Sequence, residues 1–437
     1  MKLSIYTTQL TIDGKHTILY NAMSDSYLLL KNQLLDIYRI PLEVLNEKSP
    51  SLFNQLKDAG IIIKNNIDEV KELKLKISET DNSDDFFILH INPTLDCNMK
   101  CWYCYEKHIS DYQITPETKE KILKFLSKLL TEKKDLKYFD LGFFGGEPLI
   151  HFKKSSADII EYAASLCKEK NIAFRVHFTS NATLLNDSII EFLSNYDCGF
   201  QITLDGNEEE HNKTRYHSNG RGTFRDIILN IHKLTERKIG VVVRVNYTQK
   251  NASSVLEILR EFKDLKKEQR KFLRFDFQCV WQERSKEESD FEAVIMDVRN
   301  HFEKEGFNVL ANYLPKRATD SCYGDKKNHA LINYNGDIFG CTARDFSTTN
   351  RLGVLNEEGI IEYDADKYKK WRTARFSKPV CHTCRIAPIC GGGCTQNSYE
   401  TCGVDKCVRG FTEEDKDQQV LNLIDYYISH DKNLKEI

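Results

Sequence analysis

Short apolar runs recur along this 437-residue chain, and their spacing changes twice between the two ends. Two alternating runs, at about residues 2–11 and 16–30, predict strands of a small sheet. Ser49 and Pro50 then predict the N-cap and first residue of a helix, and "IIIK" predicts a short strand after it. Together these elements are typical of a small winged-helix-like domain. The next segment, about residues 65–85, is rich in charged residues and predicts a solvated linker or a charged helix.

From about residue 85, short apolar strands alternate with segments of helical spacing. The six candidate strands are residues 86–92, 138–144, 173–178, 200–204, 240–247 and 271–280. Strands that alternate with helices predict a parallel sheet, and six units are too few for a closed eight-stranded barrel. We therefore expect an α/β fold built on a partial (β/α)6 TIM-like barrel. Its functional groups should lie just after the strands, at their carboxyl ends.

The last third of the chain has short segments, Gly-rich turns and eight cysteines. They are Cys322, Cys341, Cys381, Cys384, Cys390, Cys394, Cys402 and Cys407. The pattern thus predicts three domains, over residues 1–80, 81–310 and 311–437. The first is the winged-helix-like domain with its linker, the second is the partial barrel, and the third is a cysteine-rich domain.

Composition narrows the class of protein. The 62 basic and 65 acidic residues give a net charge of −3, which argues against nucleic acid as a partner. The N-terminus lacks the apolar core of a signal peptide, and no apolar run reaches membrane-spanning length, so we expect a cytoplasmic protein without a membrane partner. In a reducing compartment, clustered cysteines are metal ligands more often than disulfides. Isolated Cys167, Cys198 and Cys279 fit buried inert thiols.

Three cysteines stand directly after the first barrel strand. Cys97, Cys101 and Cys104 have the spacing C-x3-C-x2-C. A loop of this kind can bind three irons of an iron–sulfur cluster and leave the fourth iron open. The alternative is a zinc site completed by His108 or by a distant residue, although zinc sites usually use C-x2-C pairs.

This motif, in this place, resembles that of radical S-adenosylmethionine (SAM) enzymes. In that family the open iron binds SAM, and reduction cleaves SAM to a 5′-deoxyadenosyl radical that abstracts a substrate hydrogen. The resemblance extends over about residues 85–280, through "FFGGEP", "TSNATLL", "ITLDG" and "HNKTRYHSNGRGTF". It implies Cys97, Cys101 and Cys104 as the catalytic cluster ligands and a set of SAM-binding residues. That set is Tyr103 beside the adenine, Gly145, Gly146 and Glu147 at the amino group, Ser180 and Asn181 at the ribose, Thr203 in place of a family serine, and Arg215, or else Arg221, at the carboxylate.

The C-terminal cysteines resemble a SPASM domain, which carries two auxiliary [4Fe–4S] clusters. The resemblance implies Cys322, Cys341 and Cys394 for the first cluster, and Cys381, Cys384, Cys390 and Cys407 for the second. The family often has another cysteine before Cys322, and "NYLPKRATDS" has none. The first cluster then has an open iron, or recruits Cys402 or a non-cysteine ligand. Cys402 is also the alternative to Cys407 in the second cluster. Two structural zinc ions are the alternative use of eight cysteines.

SPASM-bearing radical SAM enzymes mostly act on peptides and proteins. The N-terminal region resembles a RiPP recognition element, which binds the leader of a ribosomally made precursor peptide as an added strand. The sequence thus predicts a radical SAM oxidoreductase that installs a thioether or carbon–carbon crosslink, or a related modification, in such a peptide. Its cofactors would be SAM and three [4Fe–4S] clusters, with a flavodoxin or ferredoxin as reductant.

Two alternatives remain open at the level of sequence. The first is an anaerobic sulfatase-maturating enzyme, which makes formylglycine. In that group an aspartate follows the cysteine that matches Cys341, whereas this chain has Thr342 there and its nearest acid is Asp345. The second is a non-enzymatic zinc-binding scaffold, which would be colourless and would not cleave SAM.

Overall fold

The computed structural model describes residues 1–35, 39–283 and 289–430. The parts of the three predicted domains at 36–38, 284–288 and 431–437 lie outside these described residues. The chain divides into two compact units. The first unit comprises Met1–Ser83, Tyr313–Lys327 and Asp366–Ile437, and the second comprises Asp84–Asn312 and Asn328–Ala365. The three-domain boundaries stay a prediction.

The second unit is built on a large, mostly parallel sheet, which confirms the predicted α/β partial-barrel fold. Six parallel strands lie side by side in chain order: Phe86–Asn92, Tyr138–Phe143, Ala173–Ser180, Cys198–Leu204, Gly240–Tyr247 and Leu273–Cys279. Asn308–Val309 extends one edge in parallel, and His329–Asn333 pairs in parallel with the first strand at the other. Antiparallel strands Asp337–Phe339, Gly353–Leu355 and Ile361–Tyr363 follow that last strand.

Helices lie between the parallel strands. They are Pro116–Glu132, Phe152–Ser155, Ala157–Glu169, Asp187–Leu193, Glu208–Thr214, Phe224–Glu236 and Lys267–Arg270, with the 3-10 helix Ala252–Phe262 and the helix Ser289–Lys304. The first of these helices follows ordinary capping rules, since Thr115 accepts from the Thr118 amide and Pro116 takes the first helical position. Alternate strand residues, such as Leu89 and Leu141, are fully buried in the apolar core.

The alternation within each parallel strand places polar residues on the other face of the sheet. In the first strand, His90 and Asn92 alternate with the core residues Leu89 and Ile91. In the fifth strand Asn246 stands between the core residues Val245 and Tyr247. The face away from the helices is therefore lined with groups that can hold a polar ligand.

The first unit contains a three-stranded antiparallel sheet, Thr7–Thr11, His16–Asn21 and Ser26–Lys31, and a two-stranded pair, Lys2–Leu3 with Ile62–Ile63. Its helices are Leu42–Lys48, Pro50–Asp58, Glu69–Asp81, Ala365–Arg372, Pro379–His382, Thr395–Glu400 and Glu413–His430, with 3-10 turns at Asn32–Leu34, Tyr323–Asp325 and Ala387–Ile389. Pro50 begins its helix as predicted. Ser49 stands at the N-cap, but its side chain makes no capping hydrogen bond.

The small sheet is apolar on both faces. On one face, Leu19 and Leu30 pack in a buried cluster with Leu45 and Leu56 of the neighbouring helices. On the other, a second cluster joins Leu10, Ile18 and Tyr20 to residues of the cysteine-bearing segments, namely Ile386, Ile389, Leu423 and Ile424. The N-terminal sheet and the C-terminal cysteine region therefore share a hydrophobic core.

Within the described ranges, no helix is both long enough and apolar enough to cross a lipid bilayer.

Candidate functional site

The loop that carries the first three cysteines is closed by backbone hydrogen bonds. The Leu95 amide donates to the Tyr112 carbonyl at 2.9 Å, and the Ile114 amide donates to the Pro93 carbonyl at 2.8 Å. Inside the loop, Met99–Cys101 forms a short strand that pairs antiparallel with Arg215–His217. The loop is thus fixed to a second segment, and Arg215 lies opposite Cys101.

The three thiols differ in exposure. Cys97 and Cys101 are partly buried and Cys104 is exposed. Burial raises the pKa of Cys97 and Cys101, with Arg215 opposing the shift at Cys101, and it raises the pKa of Cys104 to about 11. Iron binds the thiolate form, so loading this loop with a cluster releases protons. The nearby Arg215 cation favours that deprotonation.

The "GGEP" loop lies directly against the start of the cysteine loop. The Gly146 amide donates to the Thr94 carbonyl at 3.1 Å, and the Glu147 amide donates to the Asp96 carbonyl at 2.8 Å. A Cβ on Gly146 would stand 2.1 Å from the Asp96 carbonyl oxygen, and Gly145 has a φ of +108°. Only glycine permits this approach of two backbones.

Glu147 is fully buried, and its carboxylate is held by three donors. It accepts from the Leu149 amide at 3.0 Å, the Ser180 hydroxyl at 2.8 Å and the Asn181 amide at 2.7 Å. Burial raises the pKa of Glu147, and these hydrogen bonds oppose the rise. The carboxylate therefore joins the ends of the second and third parallel strands.

The Asn181 side chain reaches the cysteine loop. Its Nδ2 donates to Asn98 Oδ1 at 2.9 Å and lies 3.9 Å from the Cys97 sulfur. Its Oδ1 accepts from the Thr183 amide at 3.0 Å. The structure thus brings Ser180 and Asn181 next to Glu147, and Asn181 also next to the first cysteine.

Tyr103 is the centre of a second hydrogen-bond network. Its hydroxyl donates to Asp205 Oδ2 at 2.6 Å and accepts from Arg215 Nη1 at 2.9 Å and from Asn246 Nδ2 at 3.3 Å. Asp205 also accepts from the Thr214 hydroxyl at 3.0 Å. The network joins the cysteine loop to the ends of the fourth and fifth strands.

The other predicted SAM residues occupy less connected places. Thr203 is half-buried and lies beside Arg244 in the sheet register. Arg221, the alternative to Arg215, is 60% exposed and pairs with Asp226 at 2.7 Å. Arg215 is buried within the network and Arg221 is on the surface, so the geometry favours Arg215 as the ligand-facing arginine.

Sequence reasoning missed several residues of this site. Asp205 is 1% exposed and follows directly after Thr203 and Leu204, at the end of the fourth strand. Asn246 could have been found from its alternation with core residues in the fifth strand. Asn98 stands inside the cysteine motif itself. Glu106 has no sequence pattern that separates it from the charged residues around it.

Several buried polar atoms at this site have no hydrogen-bond partner. Among the described residues they are Asn92 Oδ1, Asp205 Oδ1, Arg215 Nε and both carboxyl oxygens of Glu106. Burial raises the pKa of Glu106 to about 8. Unpaired buried groups cost free energy, so a cluster of them marks a place for a polar ligand.

Four of the C-terminal thiols gather in the first unit. Burial is the main cause that raises the pKa of Cys381. The charges of three neighbouring thiols, Cys390, Cys384 and Cys407, raise this pKa further, so the four thiols lie near one another. Cys402 is exposed. Lys416 lowers the pKa of Cys384 against the effect of burial, so a cation faces this group of thiols. The arrangement favours Cys407 over Cys402 as the fourth member.

The remaining cysteines are divided between the units. Cys322 and Cys394 belong to the first unit and Cys341 belongs to the second. The Cys341 sulfur accepts from the Ala343 amide at 3.2 Å. Within the described ranges, no three His, Cys, Asp or Glu side chains converge at the spacing of a single bound metal ion.

Comparison with known proteins finds two domains in this chain. The model of the Radical SAM superfamily matches residues 91–262, and the model of SPASM, an iron–sulfur cluster-binding domain, matches residues 322–385. The chain carries a radical SAM domain followed by a SPASM domain, and it is a radical SAM enzyme. SAM and iron–sulfur clusters are the cofactors of these domains.

Individual relatives are distant. A cysteine-type anaerobic sulfatase-maturating enzyme of Clostridium novyi (strain NT) is 23% identical over 333 residues, which are 69% of this chain and 86% of the relative. The structure of anSMEcpe with bound AdoMet is similar with a TM-score of 0.59 and 19% identity, over 79% of this chain and 98% of that one. The structure of Streptococcus suis SuiB bound to the precursor peptide SuiA is similar with a TM-score of 0.53 and 17% identity. The similarity covers 93% of this chain and 99% of the SuiB chain.

The residues present fit the cofactors that these domains imply. Three thiols on one loop suit an iron–sulfur cluster with an open iron. SAM has an amino group, a carboxylate and a ribose, and the unpaired Asp205 Oδ1 and Arg215 Nε are an acceptor and a donor for such groups. Glu147, by contrast, already accepts three hydrogen bonds from the protein itself.

Proposed function

We propose that this protein is a peptide maturase, a radical SAM enzyme that modifies a ribosomally synthesised precursor peptide by hydrogen abstraction. The product is a thioether or carbon–carbon crosslink, or a related modification. The observation that carries the proposal is the three-stranded sheet of the first unit, whose strand Ser26–Lys31 pairs on one side only among the described residues. Such an edge can accept a peptide as a fourth strand.

The extent of the fold similarity supports this choice. The SuiB fold covers 93% of the chain, whereas the anSMEcpe fold covers 79%. The edge strand also has suitable chemistry, since Tyr27, Leu28 and Leu29 pack against the two clusters and still keep part of their apolar surface exposed. The leader of the precursor peptide would bind here.

The residues of the second unit would hold SAM and its cluster. Cys97, Cys101 and Cys104 would ligate the cluster, which together with SAM supplies a 5′-deoxyadenosyl radical when reduced. The residues proposed to hold SAM are Tyr103, Gly145, Gly146, Glu147, Ser180, Asn181, Thr203 and Arg215, and the structure adds Asp205 and Asn246 behind Tyr103. The buried network would orient SAM and exclude water from it.

The C-terminal cysteines would bind two further clusters, for a total of three [4Fe–4S] clusters. Cys381, Cys384, Cys390 and Cys407 would ligate one, and Cys322, Cys341 and Cys394 the other. A flavodoxin or ferredoxin would supply electrons.

Formylglycine formation is the second candidate, because the Clostridium novyi sulfatase-maturating enzyme matches 69% of this chain. The surroundings of Asp345, the acid nearest to Cys341, do not favour formylglycine formation. Asp345 accepts from Asn350 Nδ2 at 2.7 Å and from the Ser347 hydroxyl at 3.2 Å, which closes a local turn. This carboxylate thus already accepts hydrogen bonds from two neighbouring side chains and is less suited to act as a base.

The test begins with the protein reconstituted with iron and sulfide without oxygen. It should be brown and release 5′-deoxyadenosine when reduced with SAM. Cys101→Ala should abolish SAM cleavage, whereas Cys384→Ala should retain part of it and yield no modified peptide. Equal loss in both variants would contradict the division of roles, and a colourless protein without SAM cleavage would support the zinc scaffold.

The modified bond can be identified from a co-expressed short peptide encoded beside the gene. A mass decrease equal to two hydrogens after reaction supports a crosslink, whereas conversion of a Cys or Ser in a sulfatase-derived peptide to formylglycine supports the second candidate.

A further inference from the structure

Helix Glu69–Asp81 of the first unit has a charged surface but buried carboxylates at both ends. Glu69 is 6% exposed and Asp81 is 7% exposed, although the segment between them is rich in exposed Lys and Glu. Leu73 and Ile77 anchor one face of the helix in the core that also contains the small sheet. A buried carboxylate requires partners, and the partners at the two ends connect different parts of the unit.

At the first end, Glu69 holds the N-terminal segment. Its Oε2 accepts from the Ile5 amide at 3.0 Å, and its Oε1 accepts from the Ser4 hydroxyl. Ser4 Oγ in turn accepts from Asn21 Nδ2 at 2.9 Å. Asn21 ends the central strand of the sheet and is the register partner of Ser26, the first residue of the edge strand Ser26–Lys31.

At the second end, Asp81 forms hydrogen bonds with residues before and after Cys322. Its Oδ1 accepts from the Ser321 hydroxyl at 2.5 Å, and its backbone carbonyl accepts from the Lys327 amide at 2.7 Å. Its Oδ2 forms a buried ion pair with Arg375 at 2.7 Å. The loop around Cys322 is therefore fixed to the last residue of the helix.

Asp325 continues this network to the cysteines themselves. Its Oδ2 accepts from the Cys322 amide at 2.9 Å and lies 3.5 Å from Arg375 Nε. Its Oδ1 accepts from the hydroxyl of Thr395, the residue after Cys394. The carboxylate thus joins two segments that carry predicted ligands of one cluster.

We propose that helix Glu69–Asp81 couples the N-terminal sheet to the position of the Cys322 loop, with Glu69 and Asp81 as positioning residues at its two ends. A helix of this length is a rod of about 20 Å, and a shift at one end moves the other. Residues behind metal ligands orient them and tune the metal. The inference rests on the proposed function only for the identity of what binds: a peptide on the sheet and a cluster at Cys322.

Coupling of this kind is reciprocal, because it is a free energy shared by two sites. A peptide bound to Ser26–Lys31 would alter the cluster at Cys322, and the oxidation state of that cluster would alter peptide affinity by the same factor. A tenfold change in affinity corresponds to about 59 mV in a one-electron potential.

The test uses hydrogen–deuterium exchange of the full-length reconstituted protein, without SAM and without peptide. Glu69→Gln is expected to raise the exchange rates of residues 321–327 about fivefold or more, the scale of ordinary coupling between sites. Asp81→Asn should do the same at residues 4–6. Glu79→Gln removes an exposed charge from the same helix and should change neither segment.

An effect of Glu69→Gln confined to residues 4–6 would overturn the proposal. Amides of the barrel strand Phe86–Asn92 serve as the reference, since equal acceleration there indicates general destabilisation and also counts against coupling. If Glu69→Gln does not fold, Ser4→Ala keeps the Glu69 carboxylate, removes the hydroxyl that links it to Asn21, and tests the same connection.

A second readout separates positioning from simple stability. In the Cys101→Ala protein, Asp81→Asn should change the electron paramagnetic resonance spectrum of the reduced C-terminal clusters, and Glu79→Gln should not. An unchanged spectrum would contradict a positioning role. Because the exchange experiment needs neither SAM cleavage nor a peptide, its outcome is independent of whether the proposed maturase activity is found.

Discussion

Arg215 stands opposite Cys101 in a short antiparallel pair, and its guanidinium donates to the Tyr103 hydroxyl at 2.9 Å. One buried cation therefore contacts the aromatic residue of the cysteine motif and faces a predicted cluster ligand. Its Nε has no partner within the described residues. The site thus offers a carboxylate of a ligand one free donor next to the cysteine loop.

Replacement of Arg215 should weaken SAM binding. Arg215→Lys keeps the charge but loses the planar donors, so we expect the Kd for SAM to rise about 10- to 100-fold, the effect of about 1.5–3 kcal/mol for a charged hydrogen bond. Calorimetry of the reconstituted protein measures it. Arg221→Lys is the matched control, since that side chain is 60% exposed. Equal weakening by both variants would contradict the assignment.

The contact between the two loops gives a second prediction. Gly146→Ala places a Cβ 2.1 Å from the Asp96 carbonyl oxygen, so one backbone must move. We expect a loss of about 1–3 kcal/mol in unfolding free energy, the usual cost of overpacking, together with weaker SAM binding. Urea denaturation measures the loss. Gly14→Ala is the control, because nothing lies within 4 Å of the added Cβ.

The parallel sheet was accessible from sequence because its strands are buried by helices and appear as apolar runs bounded by turns. The strand Leu273–Cys279 lies inside the predicted 271–280, and Gly240–Tyr247 matches 240–247. The glycine pair and the cysteines could also be placed, since both follow directly after strands. Local sequence determines these features, and tertiary context changes them little.

In the charged segment after residue 65, the burial of two carboxylates could not be predicted from the sequence. Its composition predicts a solvated linker or helix, yet the structure buries Glu69 and Asp81 at its ends. Their partners, Ser4 and Arg375, are 65 and 294 positions away. The hydrogen-bond network around Tyr103 could not be predicted for the same reason. Its members Asp205 and Asn246 are 102 and 143 positions away from Tyr103. Contacts over such separations leave no periodic pattern.

The hydroxyl of Tyr103 should contribute to stability as well as to the site. Tyr103→Phe removes the donor to Asp205 and the acceptor for Arg215, which leaves buried charged groups short of a partner. We expect a loss of about 1–3 kcal/mol in unfolding free energy. Tyr138→Phe, at a side chain that is 59% exposed, is the control. Denaturation midpoints that do not differ between the two variants would show that the Tyr103 hydrogen-bond network adds no stability.

A buried histidine gives the protein a pH-dependent stability. His211 Nδ1 accepts from the Asp205 amide at 3.3 Å, and its Nε2 lies 3.0 Å from the hydroxyl of Thr223, which donates to the Arg215 carbonyl at 2.9 Å. The ring must be neutral to accept at Nδ1. Burial, with Arg215 adding to it, holds the pKa of His211 well below the ordinary 6.5.

The sign of the effect follows from proton binding. Below about pH 6.5 the unfolded chain binds a proton at this position and the folded chain does not, so this contribution to stability is present above pH 6.5 and is lost as the pH falls. We expect a loss of about 1 kcal/mol from His211 between pH 6.5 and pH 5.5. Urea denaturation at both pH values should show a smaller loss in His211→Gln than in the unmodified protein. His301→Gln, at a side chain that is 45% exposed, should keep the full loss, and an equal pH dependence in all three proteins would refute the assignment.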